Sequence, residues 1–289
     1  MKMNRRSTGA SKMKSGHSPA PPSKRAGPKD RQYVTALARG IEILQCFSPS
    51  EPELGTVEIA AKVGLPQPTV WRLCYTLMKK GMLTYTPLNK KLRLGIPVLG
   101  LGYAVVASQH IAEIARPYMQ AIADRFQGSV TLGAPDGLNM IYMQRCESTS
   151  AVLINNHVGS RVPIAYSAMG WGYLASLTPE AREEKLKEIR AAESPSWTQT
   201  ERRLRAALKT FTREGYIVNK GSLHHQINGA AVPILFRDSD TLLCLSSSGI
   251  DSLFTDEKLK QLGVSLMELA SMLKSVPPRQ RTANTQSTS

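Results

Sequence analysis

The side chains with the clearest chemical potential lie between residues 66 and 93. One group offers an amide, a hydroxyl and a guanidinium: Gln67, Thr69 and Arg72. A second group offers three cations in a segment with the pattern of a hairpin: Lys90, Lys91 and Arg93. Guanidinium and ammonium groups bind phosphate oxygens, and guanidinium, amide and hydroxyl groups also bind base edges. Together the two groups predict contact with double-stranded nucleic acid.

Two further residues extend this candidate surface, each with two interpretations. Trp71 either packs on the linker helix expected at residues 96–110 or contacts the nucleic-acid backbone. Arg39 either reaches a phosphate or remains an ordinary solvated side chain. The sequence leaves both pairs of alternatives open.

The elements that position these groups are three helices and a hairpin. An apolar stripe at helical spacing predicts the first helix: Leu37, Ile41, Leu44 and Phe47. Thr56 is placed to cap a second helix, and Gly64 ends it where a positive φ is easy. Pro66 and Pro68 suit the entry to a third helix, because the N–H groups missing there cost little.

The third helix has a distinct apolar face, which we expect to pack on the first two: Val70, Leu73, Cys74 and Leu77. Its other side carries Arg72, and alternating strands follow on either side of a turn at 87–89. Three helices followed by a basic hairpin predict a winged helix-turn-helix over residues 32–95.

The charge distribution agrees with a polyanion partner. The formal net charge is +15 at pH 7, and most of it lies before residue 96. Residues 1–31 are rich in Ser, Pro, Gly and Lys and predict a disordered basic tail, either a solubilising leader or a source of added phosphate attraction. Residues 277–289 predict a second disordered tail.

Cysteine usage and hydropathy predict a soluble cytoplasmic protein. The four cysteines are far apart and form no C-x-x-C pair, which favours reduced thiols and neither a zinc clip nor a redox motif. No apolar run approaches the ~20 residues of a membrane span, and the polar start lacks a signal-peptide core.

The rest of the chain predicts a linker and a second domain. Residues 96–110 form an apolar helix whose surface must be covered, so we expect a linker that also dimerises. From residue 111 to 276, strand-like runs (129–134, 140–146, 151–154, 216–219, 228–236 and 242–248) flank helical segments (170–176, 179–190 and 199–214). Strands grouped on either side of helices predict an α+β domain with a mainly antiparallel sheet.

Two residue pairs could suggest other chemistry. Adjacent His224 and His225 would diverge in a strand or a helix, and no third ligand is near in sequence, so no metal site is expected. Cys146 and His157 could form a nucleophile and base, but no acidic residue or oxyanion motif accompanies them. Neither pair predicts an enzyme, and no cofactor is expected.

The chain from about Tyr33 to Lys274 resembles the IclR family of bacterial transcription regulators. The stretch Gly64 to Leu73 is similar to the family's G-L-x-x-S-T-[VA]-x-R-L motif. The hairpin end at 92–95 and the Leu99-Gly100 pair follow in the family's order. Residues 158–163 and 167–175 are similar to G-x-x-x-P and S-A-x-G-x-A-x-L-A. The order and spacing of these motifs carry the resemblance more than any one of them.

The resemblance implies a winged helix that binds operator DNA, a linker helix that dimerises and a GAF-like α+β domain that binds a small organic effector. Family members act as dimers or tetramers on near-palindromic sites, as repressors or activators. Mapped by motif, the effector site here is expected at Ala168, Met169, Asn219, Gly229, Ser246 and Ser248.

The chain departs from the acid-binding members at several of these positions. Asn219 stands where they have an aspartate, Gly229 stands where they have a cysteine, and Trp171 replaces a basic residue. A less charged pocket with an aromatic side chain and space at Gly229 would suit a larger or aromatic carboxylate. An enzyme tethered to DNA is the competing hypothesis, but it requires a catalytic constellation that the sequence does not offer.

Overall fold

The computed structural model describes residues 32–108, 110–149, 156–193, 197–236 and 242–276. The two tails, 1–31 and 277–289, and the strand predicted at 151–154 lie outside the described residues. The chain divides into two compact units between Leu101 and Gly102. This division falls inside the helix that the sequence predicts for 96–110.

The N-terminal unit contains three helices and a small sheet. Its elements are α1 (Thr35–Gln45), β1 (Glu53–Leu54), α2 (Thr56–Val63), α3 (Gln67–Lys79), β2 (Leu83–Thr86) and β3 (Lys91–Leu94). The strands pair in the antiparallel order β1-β3-β2, which confirms the hairpin and adds a short strand that the sequence analysis missed. One core joins all these elements: Ile43, Leu54, Ile59, Val70, Cys74, Leu83 and Leu92. The unit is a winged helix-turn-helix.

Local backbone chemistry fixes the ends of α2. The N-cap is Gly55 and not the expected Thr56, because the Gly55 N–H donates to Glu58 Oε2 at 2.7 Å and the Glu58 carboxylate already caps the helix. Gly64 ends α2 with a φ of 65°, in the left-handed region that glycine adopts without steric penalty. Pro66 then leads directly into α3.

The apolar stripe of α1 is covered only in part, with Leu44 and Phe47 packed against the core of the unit. Leu37 and Ile41 are 64% and 47% exposed, whereas Ile43 is fully buried. α1 carries apolar residues on more than one side, and spacing alone cannot tell which side packs against α2 and α3. Leu37 and Ile41 therefore form an apolar strip that the N-terminal unit leaves uncovered.

Helix α4 (Pro97–Ser108) confirms the helix predicted to follow the hairpin. Its apolar side chains Leu99, Leu101 and Tyr103 are all exposed. Among the described residues, no single helix is both long and apolar enough to cross a bilayer; only the bent pair of α4 with the helix after it reaches that composition.

The C-terminal unit continues with a six-stranded sheet and five more helices within the described ranges. Its elements are α5 (His110–Phe126), β4 (Ser129–Asp136), β5 (Asn139–Glu147), β6 (Arg161–Pro163), α6 (Ala168–Ser176), α7 (Pro179–Ala192), α8 (Trp197–Glu214), β7 (Ile217–Lys220), β8 (Ile227–Leu235), β9 (Leu242–Ile250) and α9 (Asp256–Lys274). The strand order is β6-β5-β4-β9-β8-β7, and all five neighbouring pairs are antiparallel. The predicted α+β domain is confirmed.

Helices cover both faces of this sheet. On one face α5 and α9 enclose a core that includes Phe126, Leu245 and Leu266. On the other, α6 and α8 enclose a core that includes Trp171 and Cys244. Because neighbouring residues of a strand point to opposite faces, the residues two and four positions after Cys244 also face α6.

An ion-pair network joins α7 to α8. Arg190 and Arg205 both bind the Glu201 carboxylate, with N–O distances of 2.7 to 3.0 Å, and Arg205 also binds Glu183 at 2.7 and 3.0 Å. The Arg190 hydrogen bond, with that of Arg205, lowers the pKa of Glu201 to about 2. The Glu201 side chain is only 15% exposed, so solvent screens it less than its neighbours.

We expect this network to make stability depend on pH. The Glu201 pKa in the folded chain lies below its value of about 4.3 in the unfolded chain. The contribution of Glu201 to the free energy of unfolding is therefore full above pH ~4.5 and is lost as the pH falls towards 2. Since the arginines are substantially exposed, we expect a contribution of about 1 kcal/mol. The free energy of unfolding, measured in urea, should fall less between pH 5 and pH 3 for Glu201→Gln than for the wild type. Glu188→Gln, which removes an exposed pair with Lys185, is the control and should follow the wild type.

Candidate nucleic-acid interface and effector site

The outer face of α3 is polar and aromatic. Val70 and Cys74 are buried on its inner face, whereas Arg72 points away from the core and is exposed. A shallow groove runs along the outer face and is lined by Trp71, Arg72, Tyr75 and Thr76. Arg72 thus stands between two aromatic side chains on the helix that a winged helix-turn-helix places in a major groove.

The first turn of α3 is tied to α2. Gln67 is exposed, and its Nε2 donates to Thr56 Oγ1 at 3.2 Å. Thr69 is partly buried on the flank of the helix. Both side chains lie at the N-terminal end of α3, the end from which such helices contact base edges.

The basic wing residues differ in their surroundings. Lys90 occupies the turn before β3 with a φ of 55°, and both it and Arg93 are exposed. Lys91 lies 3.4 Å from Glu58 and is partly buried, so its charge is partly offset within the unit. The Gly55 N–H and, after it, Lys91 lower the pKa of Glu58, which therefore remains ionised.

Arg39 is partly buried on α1 and lies outside the α3 groove. Sequence reasoning missed Tyr75 and Lys79, which share the face of Arg72. Lys79 Nζ lies 5.4 Å from the centre of the Tyr75 ring. Their spacing from Arg72, three and seven residues, is the helical repeat that would have identified them.

The residues expected to bind an effector converge on the α6 face of the sheet. Asn219 pairs with Gly229, which in turn pairs with Ser248. Directly paired residues of antiparallel strands project from the same face. Gly229 also meets the start of α6, where a Cβ built on it would lie 3.4 Å from the Ala168 Cβ. The structure therefore brings these four residues together.

Asn219 is a structural link as well as a candidate ligand. It is buried, its Nδ2 donates to the Tyr166 carbonyl at 2.9 Å, and its Oδ1 accepts from the Ser222 N–H at 3.3 Å. The amide thereby joins β7 to the segment that precedes α6, which an aspartate could not do with the same donor.

The prediction that Gly229 leaves space for a ligand is wrong. A Cβ there would lie 2.7 Å from the Ser247 carbonyl, so the glycine permits a close approach between strands and does not open a pocket. Met169 is buried, with its sulfur packed over Gly133. Trp171 is also buried, and its Nε1 donates to the Ala165 carbonyl at 2.8 Å, which makes it a core residue.

Cross-strand pairing extends the candidate site to residues that the sequence analysis missed. We define the Asn219 row as Asn219, Gly229, Ser248, Ser129 and Glu147, each paired with the next. We define the Ser246 row as Ile217, Ala231, Ser246, Thr131 and Arg145, likewise. The two rows are neighbours on the α6 face, and both end on β5 in a charged residue.

The two residue pairs that suggested other chemistry are not arranged as reactive sites. Cys146 is buried, and burial raises the pKa of its thiol, so it is not a ready nucleophile. His157 is exposed, as are His224 and His225 in the turn between β7 and β8. In the described portions of the chain, no group of three or more His, Cys, Asp or Glu residues could hold a metal ion.

Comparison with known proteins identifies the class of protein to which this chain belongs. Residues 103–275 match the family model "Bacterial transcriptional regulator IclR C-terminal", and residues 36–87 match the "IclR helix-turn-helix domain". The HTH-type transcriptional regulator TsaQ1/TsaQ2 of Comamonas testosteroni is 35% identical over 210 residues, which cover 72% of this chain and 75% of that protein.

Solved structures share the architecture. An IclR family transcriptional regulator from Brucella abortus is 36% identical with a TM-score of 0.82, over 88% of this chain and 97% of that one. An IclR homologue from Microbacterium hydrocarbonoxydans, complexed with 4-hydroxybenzoate, has a TM-score of 0.66 at 23% identity, over 83% and 97% of the two chains. The second likeness concerns the fold alone.

These matches and the winged helix define a bacterial DNA-binding transcriptional regulator with an effector-binding C-terminal domain. The chain belongs to the IclR family. Its relatives are regulators of transcription, and the family is not enzymatic.

Proposed function

We propose that this protein binds a near-palindromic operator as a homodimer and that a small organic effector, a carboxylate or an aromatic compound, controls that binding. The observation that supports DNA binding is the outward face of α3. There Arg72 is exposed on the helix that enters the major groove, beside Gln67 and Thr69 at its N-terminal end. Lys90 and Arg93 are exposed on the wing, where they would contact phosphate or the minor groove.

Self-association is supported by uncovered apolar surface. Leu99, Leu101 and Tyr103 on α4 are exposed, and so is the strip on α1 formed by Leu37 and Ile41. Exposed apolar surface of this kind marks an interaction site, and a two-fold dimer would present two α3 helices to two half-sites. A tetramer, formed by two such dimers, is the second assembly that the proposal allows.

Effector control would act as a shift between two arrangements of the dimer. An effector that binds one arrangement more tightly than the other changes its population and with it the spacing of the two α3 helices. The Asn219 and Ser246 rows support an acid as the ligand, because their hydroxyl groups and Arg145 can donate hydrogen bonds to an anion. The 4-hydroxybenzoate held by the Microbacterium homologue makes that acid a first probe.

The test is selection of duplexes from a random pool by the full-length protein. We expect enrichment of a near-palindrome that binds two chains per duplex in a sedimentation measurement, with affinity that falls steeply as salt rises. Failure to enrich any sequence over the starting pool in dilute salt would contradict the proposed function. Consumption of the bound acid during incubation would show instead that the C-terminal unit is an enzyme.

A further inference from the structure

The Asn219 and Ser246 rows end side by side in a partly buried ion pair, in which the Glu147 side chain is 28% exposed. Arg145 Nε donates to Glu147 Oε1 at 2.5 Å, and the Arg145 side chain is only 7% exposed. The guanidinium also lies 5.9 Å from the centre of the Tyr142 ring. Arg145 is thus held between a carboxylate and an aromatic side chain on the α6 face.

The surface between this pair and α6 is polar. Thr131 and Ser246 occupy the Ser246 row between Arg145 and Ala231, and both are more than nine-tenths buried. Neighbouring strands lie about 4.8 Å apart, so Arg145 is about 10 Å from Ser246, measured across the sheet. A strip of hydroxyls that ends in a guanidinium is suited to a ligand with a polar group at one end and an anion at the other.

We propose that Arg145 is the anion-binding residue of the effector site and that Glu147 is its counterion, which an anionic effector displaces. The inference rests on the proposed function, since it specifies the ligand of that site. The planar guanidinium binds carboxylate or sulfonate through two parallel hydrogen bonds, so an acid can take the place of Glu147 with the same geometry. A neutral ligand cannot, because it would leave the buried guanidinium of Arg145 without a counterion.

The position of Glu147 connects this exchange to the linker. The Glu147 carbonyl accepts from Gln120 Nε2 at 2.9 Å, and Cys146 Sγ donates to the Arg116 carbonyl at 3.6 Å. Both partners lie on α5, the helix that follows α4. Release of the Glu147 side chain would therefore act on the end of β5 whose backbone is bonded to α5, the helix that follows the proposed dimer helix α4.

The experiment compares three full-length variants by calorimetric titration. Arg145→Met/Glu147→Gln removes both charges of this pair together, so neither is left without the other and the fold should be preserved. Glu147→Gln removes only the competing carboxylate. Arg161→Gln is the matched control, because Arg161 forms an exposed pair with Asp136 on the same sheet at 2.5 Å and lies outside both rows. The probes are a panel of arenecarboxylates and aliphatic carboxylates, 4-hydroxybenzoate included, each paired with its primary amide.

We expect at least one acid to bind the wild type and Arg161→Gln equally, and its amide to bind about tenfold more weakly or worse. Glu147→Gln should bind that acid more tightly, and the double variant should lose about tenfold or more. Undiminished binding to the double variant, equal binding of acid and amide, or no acid binding to either the wild type or Glu147→Gln would overturn the inference. Thermal unfolding of each variant checks the fold. DNA selection by the same preparations tests the proposed function separately, because operator binding does not depend on which ligand the C-terminal unit takes.

Discussion

Arg72→Ala is expected to weaken specific DNA binding by about 1–3 kcal/mol, which is roughly fivefold to 150-fold in affinity. Arg72 is exposed on the outer face of α3, so its loss removes no core contact and should leave folding unchanged. A guanidinium can bind the two acceptors of a guanine edge at once, and alanine can replace neither bond. The selectivity for one base position should fall together with the affinity.

Lys62→Ala is the matched control for this measurement. It removes one positive charge from the same unit, but Lys62 lies on α2 and pairs with Glu51 at 2.7 Å. Fluorescence anisotropy at fixed salt, with the selected palindrome and with a scrambled duplex, separates the two effects. A base-reading Arg72 predicts a loss mainly on the palindrome, whereas a loss of equal size on both duplexes would assign it to phosphate contact. Full affinity in Arg72→Ala would remove it from the interface.

The elements of this fold were predictable where their signals are local. Gly64 ends α2, Pro66 leads into α3, and both positions follow from residue type and spacing. The apolar face of α3 was equally legible, because Val70 and Cys74 are both buried as expected. Such signals need only a few neighbouring residues.

The candidate sites were predictable only in part because their geometry depends on distant pairings. Arg145 and Ser246 belong to one row only through the registers of β5, β4 and β9, and no short sequence pattern states a register. The same limit explains the error at Gly229, whose surroundings come from the neighbouring strand. On α1 the obstacle was different, since Leu37 and Ile43 lie on two apolar sides and only the packed unit shows which is covered.

The tight start of α6 gives a physical reason for Gly170, the glycine of the S-A-x-G motif. Gly170 lies in the first turn, where its N–H donates to Ser167 Oγ at 3.0 Å and Ser167 Oγ donates to the Pro163 carbonyl at 2.8 Å. A Cβ on Gly170 would overlap the backbone of Ile164, both its Cα and its carbonyl oxygen. Backbone atoms cannot move aside as a flexible side chain can.

Gly170→Ala is therefore expected to destabilise the C-terminal unit by about 3 kcal/mol, at the upper end of the cost of an overpacked core. The loss should appear in urea unfolding followed by tryptophan fluorescence, since Trp171 and Trp197 are both buried in this unit. Gly102→Ala makes the same change in helix α4, where an added Cβ meets no atom within 4 Å, and should instead stabilise by up to about 1 kcal/mol through helix propensity. If the two variants unfold alike, α6 does not rest on Ile164 as closely as the structure shows. The contact between Ala168 and Gly229, and with it the geometry of the proposed effector site, would then be incorrect.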